Sequence, residues 1–400
     1  MKDSGIKWIG EIPREWEIRN IRNLFSFGKG LNITKENLKE QGVAVISYGQ
    51  IHSKLNPFYK ISDDLIRFVD ESYLKTGTLS LVNQGDFIFA DTSEDVQGCG
   101  NFIYVDRQQA LFAGYHTIIL RSLALKDNKF FAFLFMSDCW RKQIRECVNG
   151  VKLFSISQKL IKKTSILLPP EDEKVRIVNY LEEHCATIDN VLEKIRASIE
   201  EYKKLKQAVI TQAVTKGLHG DREMKDSENK WAREIPSDIK ISRVGLHYEI
   251  ILGKMLCTNQ IDDTYTYEPY FCAADIHFEG IAENERKKMW FSPLEKQQYL
   301  VRKDDLLVVE GGAGAGGCAV APIQEVSTYI QNSIMIVRPG KSADVRYLKY
   351  WIECLVKQGY IDVVCNKATI PHFTKDKLAN VPFLVFSLQE QEEIANYLDQ

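Results

Sequence analysis

Met1-Lys-Asp-Ser-Gly-Ile-Lys-Trp-Ile-Gly-Glu-Ile-Pro13 recurs as Met224-Lys-Asp-Ser-Glu-Asn-Lys-Trp-Ala-Arg-Glu-Ile-Pro236, and this repetition decides how the chain is parsed. Over the first 21 aligned positions, 10 are identical. The echo continues at a nearly constant offset: Gly28-Lys29 with Gly253-Lys254, Ile51-His52 with Ile276-His277, Leu81-Val82 with Leu300-Val301, Gly98-Cys99 with Gly317-Cys318. It persists through Cys139 with Cys354 and ends at Asn179-Tyr180-Leu181 with Asn396-Tyr397-Leu398. A colinear series of this length means that one structural unit is written twice.

Each copy reads as a mixed α+β domain. Short apolar runs bounded by Gly, Asn and Asp predict strands over Val43 to Tyr48, Phe87 to Ala90, Thr117 to Leu120, Leu306 to Val309 and Ile334 to Val337. Helical periodicity predicts helices over Asn128 to Glu146 and Val345 to Val364, after which the copies close on Ser165 to Pro170 and Val381 to Val385. Between them, Glu171 to Thr215 contains no Gly or Pro. Leu181, Cys185, Ile188, Leu192, Ile195, Ile199 and Tyr202 alternate there at spacings of four and three, a heptad seam with a charged back. One helix of that length is about 65 Å long, more than a small domain can bury, so its stripe requires a second helix. Gly217 and Gly220 stop it. The same helix restarts at Ser387 and breaks off at Gln400, so the second copy is expected to be truncated, lacking roughly 35 residues of an antiparallel partner. The expected plan is therefore domain 1 over 1–170, a long coiled-coil helix and linker over 171–223, domain 2 over 224–386 and the start of a second helix over 387–400.

Composition bounds the function. The 400 residues are 44% hydrophobic and 26% charged, an ordinary globular balance. No apolar run approaches the roughly 18 residues of a membrane span. The N-terminus lacks the apolar core of a signal peptide, so a cytoplasmic location without membrane attachment is expected. Nine cysteines at irregular spacing, with no Cys-x-x-Cys, fit reduced thiols, and no structural metal is expected. Net charge is −2, yet residues 1–170 carry 23 Lys/Arg against 18 Asp/Glu, while 224–400 carry 20 against 25. Any polyanion must therefore be met by local patches such as Lys159 to Lys163 and Arg286 to Lys288, or with the help of basic partners.

Taken together, Lys7 to Trp16 (repeated less perfectly at Lys230 to Ile239), the boundary Pro169 to Ile177, and a long helix ending in Val214 to Leu218 resemble the DNA-specificity subunit of type I restriction-modification enzymes. The resemblance covers the whole chain. It implies two target-recognition domains held apart by two antiparallel helices, each domain reading one half of a split site in double-stranded DNA. It also implies partners: two methyltransferase (modification) subunits and restriction/translocase subunits. S-adenosylmethionine, ATP and Mg would then belong to those partners, with no cofactor in this chain. Geometry alone favours such a plan, since two similar readers on a stiff rod convert rod length into half-site spacing.

Candidate DNA contacts follow from the repeat. Lys29 and Lys254 each follow a Gly and could neutralise a phosphate, or be strand-end lysines. Tyr48, Gln50, His52 and His277 could offer hydrogen-bonding edges or a stacking face to bases, or be structural. Lys152, Ser155, Lys367, Thr369 and His372 lie in polar, basic segments that follow a helix, near the DNA face in the resembled family. Gly312 to Gly317 matches Gly-x-Gly-x-x-Gly after a strand, but Pro322 leaves no room for the required helix, and the first copy has Thr92-Ser93-Glu-Asp-Val-Gln97 instead. Gly312, Gly314, Thr92 and Ser93 are therefore read as a loop close to DNA or a tight turn. No Walker, Gly-x-Ser-x-Gly or His-Glu-x-x-His motif is present, so no catalytic residue is expected. Two other readings stay open: a nucleotide-dependent enzyme using the loop 311–317, and a coiled-coil adaptor without DNA function.

Overall fold

A computed structural model describes residues 1–6, 9–123, 128–148, 150, 152–323, 325–365 and 371–400. It divides into two compact units, Met1–Glu193 and Lys194–Gln400.

In the first unit, Phe25–Lys29, Thr117–Ser122, Phe87–Ala90 and Phe102–Tyr104 form, in that spatial order, an antiparallel sheet. Successive side chains of a strand point to opposite faces. Phe87 and Phe89 accordingly join Phe25, Phe102, Phe135 and Trp140 on one side, while Ile88 and Ala90 join Ile46, Ile103 and Ile119 on the other. Burial on both faces is why Phe-Ile-Phe-Ala reads as an unbroken apolar run. Helices Asn128–Met136 and Asp138–Arg145 cover the aromatic face. The single helix expected over Asn128 to Glu146 breaks at Ser137, which is extended (φ −66°, ψ 143°) and donates its hydroxyl to the Leu134 carbonyl. A serine can bond to the nearby backbone in this way and so compete with helix propagation. The opposite face carries a second sheet in which Val43–Ile46 runs parallel to Leu111–Ala113. The strand expected to reach Tyr48 stops at Ile46. Extended Ser47 opens a one-turn helix, Tyr48–Ile51, and the Gln50 side chain accepts the Ser47 N–H at 3.1 Å.

The second unit repeats this topology. Tyr248–Leu252, Ile334–Pro339, Leu306–Val309 and Cys318–Val320 form the four-stranded sheet in the same order. Leu306 and Val308 cluster with Met335, Val337, Tyr347 and Trp351, whereas Leu307 and Val309 cluster with Phe271, Ile330 and Ile336. Thr266–Phe271 pairs in parallel with Tyr329–Ile330, as its counterpart does in the first unit. The helix expected over Val345 to Val364 is two, Val345–Lys357 and Tyr360–Val364, because Gly359 adopts φ 86°. Such a conformation is cheap for glycine and ends a helix. The repeated N-terminal words form matching hairpins, Lys2–Asp3 with Glu11–Ile12 and Met224–Asp226 with Glu234–Pro236. Each domain closes by pairing an early strand with a late one, Glu17–Asn20 with Ser165–Leu168 and Lys240–Arg243 with Pro382–Val385.

Even the buried ion pair is duplicated. Asp86 accepts the Asn83 N–H and sits 3.5 Å from Arg121. Asp305 accepts the Arg302 N–H and two hydrogen bonds from Arg338, at 2.9 and 3.0 Å.

The expected long helix is Glu171–Lys216, 46 residues, ended by Gly217 at φ 74°. Its first half belongs to the first unit. There the Trp16 indole donates to Glu173 (2.9 Å), and the Tyr59 hydroxyl and Lys60 ammonium both reach Asp189 (2.5 and 2.8 Å). Its last turns belong to the second unit, where Ile210, Ala213 and Val214 are buried beside Tyr347 and Trp351. Every residue from 190 to 206 is exposed. The seam residues Ile188, Leu192, Ile195, Ile199 and Tyr202 are 44–70% exposed, so the stripe is left uncovered by the described residues. A second helix, Leu388–Leu398, is capped by Ser387 and packs Ile394 and Ala395 into the second core.

Candidate nucleic-acid interface

Two loops meet beside the central strand of each domain. In the first, Thr92–Ser93 pairs antiparallel with Phe154–Ser155, bringing the segment after Phe87–Ala90 against the one that follows the helices. In the second, Gly311 bridges His372 in the same way. Residues some 60 positions apart in sequence are thereby assembled into one surface, twice.

The first domain has a cleft of about 870 Å³ at this junction, lined in part by Lys29, Asn32, Asp91, His116, Ser155 and Lys159. Lys29 ends an edge strand and is exposed, as are Lys152, Ser155 and Lys159. A neighbouring cleft of about 550 Å³ is lined by Tyr48, His52, Thr92, Ser93, Gln97 and Asn101, among others. Tyr48 is half-buried, with its ring edge-on to Tyr115 and His116 at 5.5 and 5.4 Å. The Gln50 carbonyl oxygen is engaged in capping its own helix, and Ser93 is buried with its hydroxyl on the Asp95 carbonyl at 2.7 Å.

His52 has both ring nitrogens engaged. Arg141 donates to the Asn101 oxygen at 2.6 Å, which leaves the Asn101 amide to donate to His52 Nδ1 at 3.1 Å. Nε2 must then carry the proton, and it donates to the Thr92 carbonyl at 2.8 Å. This chain of bonds fixes the Thr92 loop from behind. Arg141 stacks over Phe58 at 4.9 Å, and burial pulls its guanidinium down to about 10, with the nearby charge of Arg145 adding to the effect.

The second domain treats its equivalents differently. Lys254 is 8% exposed, ion-paired to Glu295, and lies 5.0 and 5.5 Å over the Tyr265 and Phe291 rings. Its ammonium is thus turned inward, unlike that of Lys29. His277 is exposed on a short hairpin, Ile276–His277 with Gly280–Ile281. Gly312 adopts φ 91° in a turn whose would-be Cβ meets nothing, and at Gly314 a Cβ would only touch Val309. The glycine run links Leu306–Val309 to the antiparallel strand Cys318–Val320. It is a hairpin loop, not the strand-to-helix turn whose helix N-terminus holds a pyrophosphate, so the dinucleotide reading loses its structural basis. His372 lies within 3.6 Å of the Glu310 carboxylate. Lys367 and Thr369 lie outside the described residues.

Sequence reasoning passed over Asp91, Asn101, His116 and Glu310. Asp91 and Glu310 could have been found, since each is the acid that directly follows a four-residue apolar run in equivalent places of the repeat. Among the described residues no cluster of three His, Cys, Asp or Glu is arranged to hold a metal, and no helix is long and apolar enough to cross a membrane.

Comparison with known proteins agrees with this layout. The chain is 22% identical over 394 residues to a protein of Methanocaldococcus jannaschii provisionally named the type I restriction enzyme MjaX specificity subunit, covering 98% of this chain and 87% of that one. It is 23% identical over 210 residues to the type I restriction enzyme MjaVIII specificity subunit of the same organism, covering 52% of this chain and 47% of that one. A chain solved in work on complex assembly and conformational transition of the type I R-M system superposes with a TM-score of 0.68 at 20% identity, covering 98% of this chain and 90% of that one. The HsdS subunit of Thermoanaerobacter tengcongensis superposes at 0.51 and 19% identity, again over 98% of this chain and 90% of that one. The family model described as type I restriction modification DNA specificity domain matches twice, over residues 13–201 and 236–400. Each match takes in most of one copy of the repeat and runs into the helix that follows it, and the chain belongs to that family.

Proposed function

We propose that each domain reads one half of a bipartite site in double-stranded DNA, and that the chain directs adenine methylation or cleavage carried out by partner subunits. One observation carries this reading: the duplicated fold brings the same two loops together beside the same strand in both domains, with divergent polar side chains on a common framework. Divergence in the loops implies unlike half-sites, because base edges specify whereas phosphate contacts position. In the first domain Lys29, Lys152 and Lys159 supply phosphate contacts, and Thr92, Ser155 and Gln97 face the bases. In the second, Lys367, Thr369 and His372 stand in the corresponding segment, and the Gly312–Gly314 turn lets the backbone come close to the duplex. Lys254 is left out of this interface, since its charge is already paired and buried.

The chain itself performs no chemistry in this reading. S-adenosylmethionine, ATP and Mg belong to modification and restriction subunits, two modification subunits docking along the helices, and the assembly works in the cytoplasm. The exposed seam between residues 188 and 205 supports helix-mediated assembly, because a stripe of this kind is stabilised when a second apolar surface covers it. The test is footprinting of the chain assembled with its modification subunits. Two protected half-sites flanking unread base pairs are expected; one continuous half-site would contradict the reading.

A further inference from the structure

In both domains the acid that follows the central strand is stapled by its backbone in the same way. Asp91 donates its N–H to the His116 carbonyl (3.1 Å) and accepts from the Ile156 N–H (2.7 Å). Glu310 donates to the Ser333 carbonyl (2.8 Å) and accepts from the Phe373 N–H (2.6 Å). Position 116 therefore corresponds to 333. Position 155, opposite Thr92, corresponds to 372, opposite Gly311. The first domain places His116 and Ser155 at these two flanks, and the second places Ser333 and His372.

Imidazole and hydroxyl have changed sides, yet an imidazole Nδ1 lies beside the carboxylate in both domains, 3.1 Å from Asp91 and 3.6 Å from Glu310. The accommodations are separate. His116 takes a left-handed backbone (φ 55°), uncommon for a residue with a Cβ. The His372 ring lies against Gly311, where a Cβ would meet its Nδ1 at 3.1 Å. A pair rebuilt from opposite flanks is better explained by what it presents than by what it holds together. Both rings are more than half exposed, so neither secures the core.

An ionised carboxylate only accepts, so the 3.1 Å hydrogen bond from His116 to Asp91 places the proton on Nδ1 and leaves Nε2 of the neutral form as an acceptor, while the negative charge of Glu310, 3.6 Å from His372 Nδ1 and too far for a hydrogen bond, favours the same tautomer there. Beside a phosphate, a carboxylate and an acceptor nitrogen are repelled. Facing base edges, they match the exocyclic amines of adenine and cytosine, the donors of the major groove. We propose that His116 and His372 are specificity-determining residues, one per half-site, each reading an exocyclic amine through Nε2, and that Asp91, by a hydrogen bond, and Glu310, by its nearby charge, are positioning residues that favour the Nδ1–H tautomer. The proposal rests on the bipartite reading above and deepens it.

The test uses the full chain assembled with its modification subunits and measures methylation rates on a panel of duplexes in which each base pair of the site is replaced in turn. His116→Asn keeps a residue that tolerates the left-handed backbone, and should lower discrimination about 10- to 150-fold at one adenine or cytosine of one half-site, leaving the other half-site unchanged. His372→Ala should do the same in the other half-site. Asp91→Asn is nearly isosteric. Its amide can donate to Nδ1, which moves the ring proton to Nε2 and turns the reader from acceptor to donor, so preference at that pair should shift towards guanine or thymine rather than vanish. A purely structural contact would not produce that reversal. Wild-type discrimination at every position in both His variants, or equal loss in both half-sites from either one, overturns the proposal while leaving the bipartite reading intact. A wild-type complex with no bipartite preference overturns both.

Discussion

Asp305 is 4% exposed and depends on Arg338, which gives it two hydrogen bonds, while the equivalent Asp86–Arg121 pair is looser at 3.5 Å and more solvated. Removing one partner of a buried pair leaves an uncompensated charge, so Arg338→Ala should destabilise the second domain by about 3–5 kcal/mol in urea unfolding, and Arg121→Ala the first domain by less. Asn101→Ala should cost about 1.5–3 kcal/mol, because it deprives Arg141 and His52 of their partner. It should also weaken recognition of one half-site through the loosened Thr92 loop, which single-site methylation rates would register. These networks mark where the sequence stops being legible. The Gly-Lys pairs at 28–29 and 253–254 look alike as words, but Lys254 is claimed by Glu295, Tyr265 and Phe291, residues brought in by a different loop. The two partners of His52 lie 40 and 49 residues away, beyond any local pattern.

Glu171–Lys216 could be read from the chain because nothing in it opposes a helix: no Gly, no Pro, and a charged back behind a regular seam. The shorter helices were legible in place but not in continuity, since a single serine or glycine turns the backbone at 137 and 359. Ala197 stands in the stretch where every residue is exposed. Ala197→Pro removes a helical hydrogen bond at a cost of about 3 kcal/mol or more to the helix, while the cores of both domains are untouched. Each domain should keep its thermal transition, far-UV helical signal should fall, and the methylation assay should lose its preference for one half-site gap. The hook between domain and helix can be followed separately. Burial, then the hydrogen bond to Asp189, pushes the Tyr59 hydroxyl up to about 12. In Asp189→Ala, NMR of ring-labelled tyrosine should find Tyr59 titrating lower, because the hydrogen bond to Asp189 is lost while the Lys60 ammonium stays beside the hydroxyl.

Across the whole chain, the duplication visible at Met1 and Met224 extends to strand order, parallel pairing, closing strands and the buried ion pair. Framework is what a repeat preserves, and so the architecture was legible from one comparison of the sequence with itself. The candidate DNA-reading surface was only partly so, since it lies where the copies diverge and where contacts are made between distant loops. Exchanging residues 1–170 for those of a relative should change one half of the recognised site and leave the other. The most direct measurement is the map of methylated adenines in DNA modified by this chain together with its modification subunits. Two unlike half-sites separated by a constant run of unread base pairs are predicted; a single uninterrupted motif, or a gap of variable length, would contradict the account.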